Sequence, residues 1–322
     1  MLHKSAVIIA LSLITLISFL LAIRLGSISM TFSDIIASFS QQDGLHHQLI
    51  FELRLPRALA AFVCGGMLAL AGVLMQALLR NPLADPYILG VSGGAASGAL
   101  LAIMTGAGVL LVQVSAFFGA LLSIVLVFAL AHGSSSWTSN RLLLTGVVLA
   151  AGWNACISFL LTISQSEQVH GMLFWLMGDL SQTRLAGWEI LFLLFITTAS
   201  FVMARPLNII SRGELRASAL GVNTRQLRLL LFFTASLLTA VAISLAGSIG
   251  FIGLMAPHIL RLLMGADHRA LIPASVLLGG SLLILADTLA RTVLAPTQLP
   301  VGILTAILGV PTFLYLLYRK NA

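Results

Sequence analysis

The chain has 322 residues, of which 59% are hydrophobic and only 8% charged, with a formal net charge of +7. A soluble domain carries about 25% charged residues, so this composition excludes a water-facing exterior and makes lipid the solvent for most of the surface. The positive balance does not point to nucleic acid, because the basic residues are scattered between apolar runs rather than gathered on one face.

Apolar windows of about 20 residues recur nearly end to end and run continuously, which predicts an all-α integral membrane protein rather than a barrel of alternating strands. The first span is 5–23, preceded by Lys4. No small-x-small cleavage site clearly follows it, so an uncleaved helix is expected rather than a signal peptide. Residues 24–56 read as polar and mixed, with Asp34, Asp43, His46, His47 and Glu52. A second span covers 58–79 and is broken by Arg80-Asn81-Pro82-Leu83-Ala84-Asp85-Pro86, where two prolines flanking an acid predict a tight non-helical turn.

Spans at 88–106, 109–131 and 142–164 follow, the last two separated by the loop His132 to Arg141 with Ser134, Ser135 and Ser136. Between Ser164 and Arg184 the apolar stretch Met172 to Met177 predicts a short surface helix. Next come spans at 187–204 and 229–246, divided by a basic linker, and a shorter segment at 249–264 carrying Pro257 and His258. The final spans are 271–290 and 301–318, giving ten transmembrane helices in one domain over 1–322.

With the N-terminus cytoplasmic, twelve basic residues fall inside (Lys4, Arg80, Arg141, Arg205, Arg212, Arg216, Arg225, Arg228, Arg261, Arg269, Arg319 and Lys320) and five outside (Arg24, Arg54, Arg57, Arg184 and Arg291). That asymmetry obeys the positive-inside rule and places both termini in the cytoplasm, which an even number of spans requires. An internal echo accompanies it. Leu70-Ala71-Gly72, Pro82 and Gly90 recur as Leu245-Ala246-Gly247, Pro257 and Gly265 at a constant offset of 175. The two copies run in opposite directions across the membrane, which predicts an inverted repeat of the kind many transporters use; chance recurrence of abundant Leu, Ala and Gly is the alternative.

The sequence has no G-x-x-x-x-G-K-[ST] loop, and its only lysines are Lys4 and Lys320, so the chain is not expected to bind ATP in the P-loop manner. HExxH, CxxC and GxSxG are also missing, so no catalytic residues, metal ligands or cofactor are assigned and the chain is not expected to be an enzyme by itself. Cys64 and Cys156 lie inside apolar runs and read as small buried hydrophobes. His170 and His258 lack the companion ligands that a metal or haem site needs. Gly65, Gly66, Gly72, Gly90, Gly93, Gly94 and Gly98 suit close helix packing, and the same smallness leaves a gating role open. Asp287 is an acid deep in a late span with Arg291 four residues on. An i, i+4 structural pair and a functional intramembrane carboxylate are both consistent with it.

The most informative stretch is 205–228. It is basic, it contains a compact helix stopped by Gly221, and it reads as a docking handle for a cytoplasmic partner, with a bare positive-inside loop as the alternative.

These residues carry a family resemblance. Arg54-Leu55-Pro56-Arg57, Gly72-x-x-Met75-Gln76, Asn81-Pro82-Leu83-Ala84-Asp85-Pro86 and Gly90-Val91-Ser92-x-Gly94-Ala95 resemble the iron-chelate, haem and cobalamin permeases of type II binding-protein-dependent ABC importers. So do Gly213-Glu214 with Ala219-Leu220-Gly221, the run Gly250-Phe251-Ile252-Gly253-Leu254-x-x-Pro257-His258-Ile259-x-Arg261, and Leu299-Pro300-Val301-Gly302-x-x-Thr305. The similarity covers nearly the whole chain.

The resemblance implies a bacterial inner-membrane permease that pairs with a second copy of itself around a central pathway. Separate ATP-binding subunits, which carry ATP and magnesium, would sit below and a periplasmic substrate-binding protein above. It implies ATPase coupling through Arg212, Gly213, Glu214, Arg216, Ala219, Leu220, Gly221 and Val222, and binding-protein docking through Arg54, Arg57 and Arg291. Asn81, Leu83, Ser134, Ser135, Ser136 and Asn154 would line the gate or pathway. Gln298 departs from the glutamate that many relatives carry before Leu-Pro, which puts a charge-based role there in doubt. The expected function is ATP-driven import by alternating access. An ion-gradient-driven secondary transporter, for which Asp287 is nearly the only coupling acid, is the alternative. A membrane sensor or scaffold is a third reading.

Overall fold

The computed structural model describes residues 4–26, 28, 30–40, 44–131 and 139–321. Among them there is no strand, and most are helical. The helices are α1 (Lys4–Arg24), α2 (Phe32–Ser40), α3 (Leu45–His47), α4 (Leu55–Leu79), α5 (Val91–Met104), α6 (Val109–Ala131), α7 (Ser139–Ile163) and α8 (Ser166–Leu176). After them come α9 (Trp188–Val202), α10 (Ala204–Ile210), α11 (Glu214–Ala219), α12 (Thr224–Ala246), α13 (Ile252–Met264), α14 (His268–Thr292) and α15 (Val301–Asn321).

Six helical stretches are long and apolar enough to cross a membrane among the described residues: α1, the continuous Leu45–Leu79 rod, α6, α7, α12 and α14. The pair α9 and α10 would make a seventh, bent by 61°. Apolar helices of 10–17 residues lie at α5, α13 and Val301–Tyr315.

Local chemistry moves several predicted boundaries. The polar segment before the second span is largely helical among its described residues: it contains α2, and α3 and a π-helical stretch, Gln48–Arg54, run on into α4. The third span starts late, because Pro86–Leu89 forms a 3-10 turn and Gly90 caps it at φ 68°, a left-handed conformation that favours glycine. Conversely α12 starts early, at Thr224, because the Asn223 side chain accepts the Gln226 N–H at 3.1 Å and completes an N-cap. The offset-175 echo does not mark matching local structure. Gly72 lies inside α4 whereas Gly247 ends α12 at φ 69°, and Pro82 sits in a turn whereas Pro257 is inside α13.

Helix α4 is the buried axis, and α14, α12, α13 and α1 pack around it, while α5, α6 and α7 form a flanking group. Small residues set these distances. A Cβ added to Gly72 would overlap the Gly253 carbonyl of α13, and one added to Gly65 would overlap the Gly279 carbonyl of α14. The helices therefore meet backbone to backbone, the arrangement that dispersion favours where lipid supplies no hydrophobic drive.

Candidate functional site

Chain direction fixes two ends of the bundle. Helix α4 (Leu55–Leu79) carries Arg57 near its start, and the residue after its end, Arg80, lines a cavity of about 590 Å³ with Arg212, Gly213, Glu214, Leu215 and Arg216. Arg57 is therefore at the end opposite α11.

At the α11 end, α10 leaves α9 at the 61° bend, and Ser211 to Gly213 turn the chain into α11. Gly213 sits at φ 124°, where a side chain would be strained. The short helix then stops as the sequence predicts. The Gly221 N–H donates to the Ser218 carbonyl and the Val222 N–H to the Ala217 carbonyl, both at 3.0 Å, with Gly221 at φ 80°. This is a Schellman motif, and Val222 packs on the buried core behind it while Ala217 is itself buried. The tip is thus locked in shape, yet Leu215 is 89% exposed and Leu220 69%. Two leucines in solvent on a rigid, basic element are an unpartnered apolar feature. Arg212, Arg216 and Ala219 are exposed beside them, and Glu214 pairs with Arg228 of α12 at 3.2 Å.

A polar cluster that sequence reasoning missed holds this element to the bundle. The Asn208 amide of α10 donates to Asp267 at 2.8 Å, and its oxygen accepts from the His268 N–H at 2.9 Å and from His268 Nδ1 at 2.7 Å. Asp267 also takes the Lys4 ammonium at 2.7 Å and caps α14 by accepting the Arg269 N–H at 3.2 Å. Hydrogen bonds from Lys4 first and Asn208 second hold the Asp267 carboxyl down at about 2. In the sequence these residues look like ordinary polar residues near span ends.

Asn81 and Leu83 share one turn near Arg80, where the Asn81 side chain accepts the Leu83 N–H at 2.9 Å. The turn is tied inward by Tyr87, whose hydroxyl donates to the Ile249 carbonyl at 2.9 Å and accepts the Ile249 N–H at 3.1 Å. Ser134, Ser135 and Ser136 lie outside the described residues. On α7, Trp153 Nε1 donates to Ser123 at 3.1 Å, and Ser123 donates to the Gly90 carbonyl at 2.9 Å, whereas the adjacent Asn154 is exposed.

At the opposite end, Arg54, Arg57, Arg291 and Gln298 line a common cavity of about 250 Å³. The structure thus brings the three sequence-predicted arginines together, although not as free surface cations. Arg54 is 5% exposed and donates to the Ile23 carbonyl at 2.6 Å, the Arg24 carbonyl at 3.1 Å and the Ile28 carbonyl, so it caps the C-terminal end of α1. Gly26 leaves room for it, since a Cβ there would stand 2.8 Å from Arg54 Nη2. Arg57 meets Asp287 at 2.8 Å and donates to Gln298 Oε1 at 2.8 Å. Arg291 meets the same carboxylate at 3.2 Å as the i, i+4 partner seen in the sequence. Arg57, the stronger partner, was not legible there. Gln298 fits its place as a neutral acceptor.

A further cavity of about 690 Å³ at this end is lined by Gln113, His170, Phe174, Trp175, Gln182 and Gln298 among others. His170 stacks on Phe174 at 4.7 Å, while His258 is buried edge-on against Phe313 at 5.9 Å. Cys64 is buried and Cys156 only half-buried, both as free thiols. Among the described residues no three His, Cys, Asp or Glu side chains come together as a metal site would need.

The structure is a bundle of helices long and apolar enough to cross a membrane, with a solvent-facing element at one end. The profile of the FecCD transport family matches residues 14–319. The chain belongs to that family, whose ABC transporter permeases are its relatives. It is 39% identical to the Yersinia pestis hemin transport system permease protein HmuU over 92% of this chain and 91% of that one. It is 38% identical to the vitamin B12 import system permease protein BtuC of Escherichia coli O127:H6 over 98% and 95%. A solved structure described as an inward-facing metal-chelate type ABC transporter superposes with a TM-score of 0.85 at 32% identity, covering 98% of this chain and all of that one.

Proposed function

We propose that this permease imports an iron chelate, haem or cobalamin across a bacterial inner membrane by alternating access, driven by ATP hydrolysed in separate subunits. The observation that carries this reading is the locked element α10–α11 with exposed Leu215 and Leu220, whose rigidity and apolar tips suit a cleft in a partner ATPase. The hemin and vitamin B12 relatives support the cargo class. Ten spans are proposed, with the short α5 and α13 as inner half-length segments. Their irregular approaches meet at Tyr87 and Ile249, a placement that suits an inverted repeat of interrupted helices.

In this reading both termini are cytoplasmic and a second copy of the chain packs beside the first, with the exposed face of α7 and Asn154 toward the shared pathway. Asn81 and Leu83 belong to the inner gate. The cavity of Arg54, Arg57 and Arg291 holds three guanidiniums against the one carboxylate of Asp287, so it keeps a positive surplus for acidic side chains of a periplasmic binding protein. ATP and magnesium belong to the partner subunits. The same geometry weakens the secondary-transporter reading: Asp287, nearly its only candidate coupling acid in the sequence, is clasped by two arginines.

Reconstitution tests the proposal. Proteoliposomes with the ATPase and the binding protein should take up cargo only with ATP, whatever the proton gradient. Uptake without any ATPase, or uptake abolished by a protonophore while ATP is present, would refute it. Identification of the molecule held by the cognate binding protein would select the cargo.

A further inference from the structure

Helix α11 makes one side-chain ion pair to the bundle among the described residues, Glu214 with Arg228, which is 39% exposed on the glutamate side. Helix α10 is attached firmly. The Asn208 amide oxygen accepts two hydrogen bonds from His268, which is 1% exposed, and its nitrogen donates one to Asp267, all at the α13–α14 junction. Because the Asn208 nitrogen donates to a carboxylate, its oxygen must face His268 as acceptor, so His268 Nδ1 carries the hydrogen. The contact therefore has one donor–acceptor orientation.

What lies beyond it is a lever. Helix α14 begins at His268 and reaches Asp287 about 28 Å further on, at a rise of about 1.5 Å per residue. Pro273 removes one rung of its ladder near the start, and the rest packs along α4 and α1. Asp287 in turn holds Arg57 of α4. The second tie at this end, Lys4 to Asp267, is half-exposed at 48% and 34%, a setting in which ion pairs contribute little.

We infer that Asn208 is the positioning residue that transmits motion of the α10–α11 element to α14, and that the Lys4–Asp267 pair does not share this role. This rests on the ATPase-coupling reading of α10–α11. It predicts a loss of coupling rather than of assembly.

The test uses the full permease with its ATPase and binding protein in proteoliposomes, loaded with whichever of haemin, cyanocobalamin or a ferric siderophore the unaltered protein transports. Asn208→Ala should leave ATPase co-purification and ATP hydrolysis unchanged while cargo moved per ATP falls about tenfold, the equivalent of one or two buried hydrogen bonds. Lys4→Met should leave that ratio unchanged. Asn208→Asp sets two carboxylates together and should fall further. The exchange Asn208→Asp with Asp267→Asn restores a donor facing an acceptor and should recover most of the ratio.

An unchanged ratio in Asn208→Ala overturns the inference. So does a double exchange that folds and remains as uncoupled as Asn208→Asp, and that comparison decides the matter if the alanine variant does not fold. If the ATPase does not bind the unaltered permease at all, the coupling reading falls, and this inference with it. Binding with normal coupling in Asn208→Ala removes this inference alone.

Discussion

Arg57 and Asp287, 230 positions apart in the chain, meet at 2.8 Å near the end of the bundle opposite α11, with side chains only 11% and 2% exposed. Arg291 shares the carboxylate from the other side. One acid thus serves two cations, and removing it leaves both uncompensated in a poorly solvated place. Asp287→Asn should destabilise the protein by about 3 kcal/mol, the usual consequence of stripping one partner from a buried pair. Thermal unfolding in detergent, followed by size-exclusion monodispersity, measures it; a melting temperature equal to the unaltered protein's would show that the clasp contributes nothing.

The glycine contacts of α4 make a steric prediction. Gly72→Val pushes a branched side chain into the Gly253 backbone and should cost about 2 kcal/mol through overpacking. Gly108→Ala, which meets nothing within 4 Å, should leave the same melt unchanged. Equal tolerance of both substitutions would contradict the backbone-to-backbone packing.

For the α11 tip, Leu215→Asp and Leu220→Asp replace exposed side chains, so the permease alone should melt as before. Association with the ATPase should weaken at least tenfold if each leucine contributes even about 1.5 kcal/mol of burial at that contact. Titration of the ATPase against each variant by microscale thermophoresis reads the change. Undiminished affinity in both variants would remove the docking role.

Protonation of Asp267 gives a pH dependence with a definite sign. Its carboxyl is depressed to about 2 by Lys4 and Asn208, so the stability it supplies is complete above the ordinary carboxylate pKa of about 3.9. That stability is lost as pH falls through about 2. The melting difference between the unaltered protein and Lys4→Met should therefore be flat from pH 7 to about 4 and shrink below it. A difference that grows on acidification would reverse the assignment.

Where helices lie was largely readable, because long apolar runs such as 109–131 announce themselves whatever they pack against. The stop at Gly221 was readable for a local reason: a glycine after a short helix needs no tertiary information. The boundaries at Gly90 and Asn223 moved because one residue's dihedral or one side-chain cap decides them. Pairings were the opaque part. Nothing in the local pattern around Arg57 names Asp287 as its partner, and nothing around Asn208 names His268, since each contact exists only after distant segments are brought together. The three arginines line one cavity, but their burial was hidden in the sequence, because the α1 carbonyls that engage Arg54 carry no sequence signature.

Gln298 has a consequence for partner approach. As an amide it steers the Arg57 guanidinium without cancelling any of its charge. The field of the surplus cations then extends outward for about a Debye length, roughly 10 Å at 0.1 M salt. Encounter with an acidic protein surface should accordingly be fast in dilute buffer and slow steeply as salt is added. If this cavity is where a binding protein docks, as proposed, Gln298→Glu would flatten that slope while leaving the shape of the face the same.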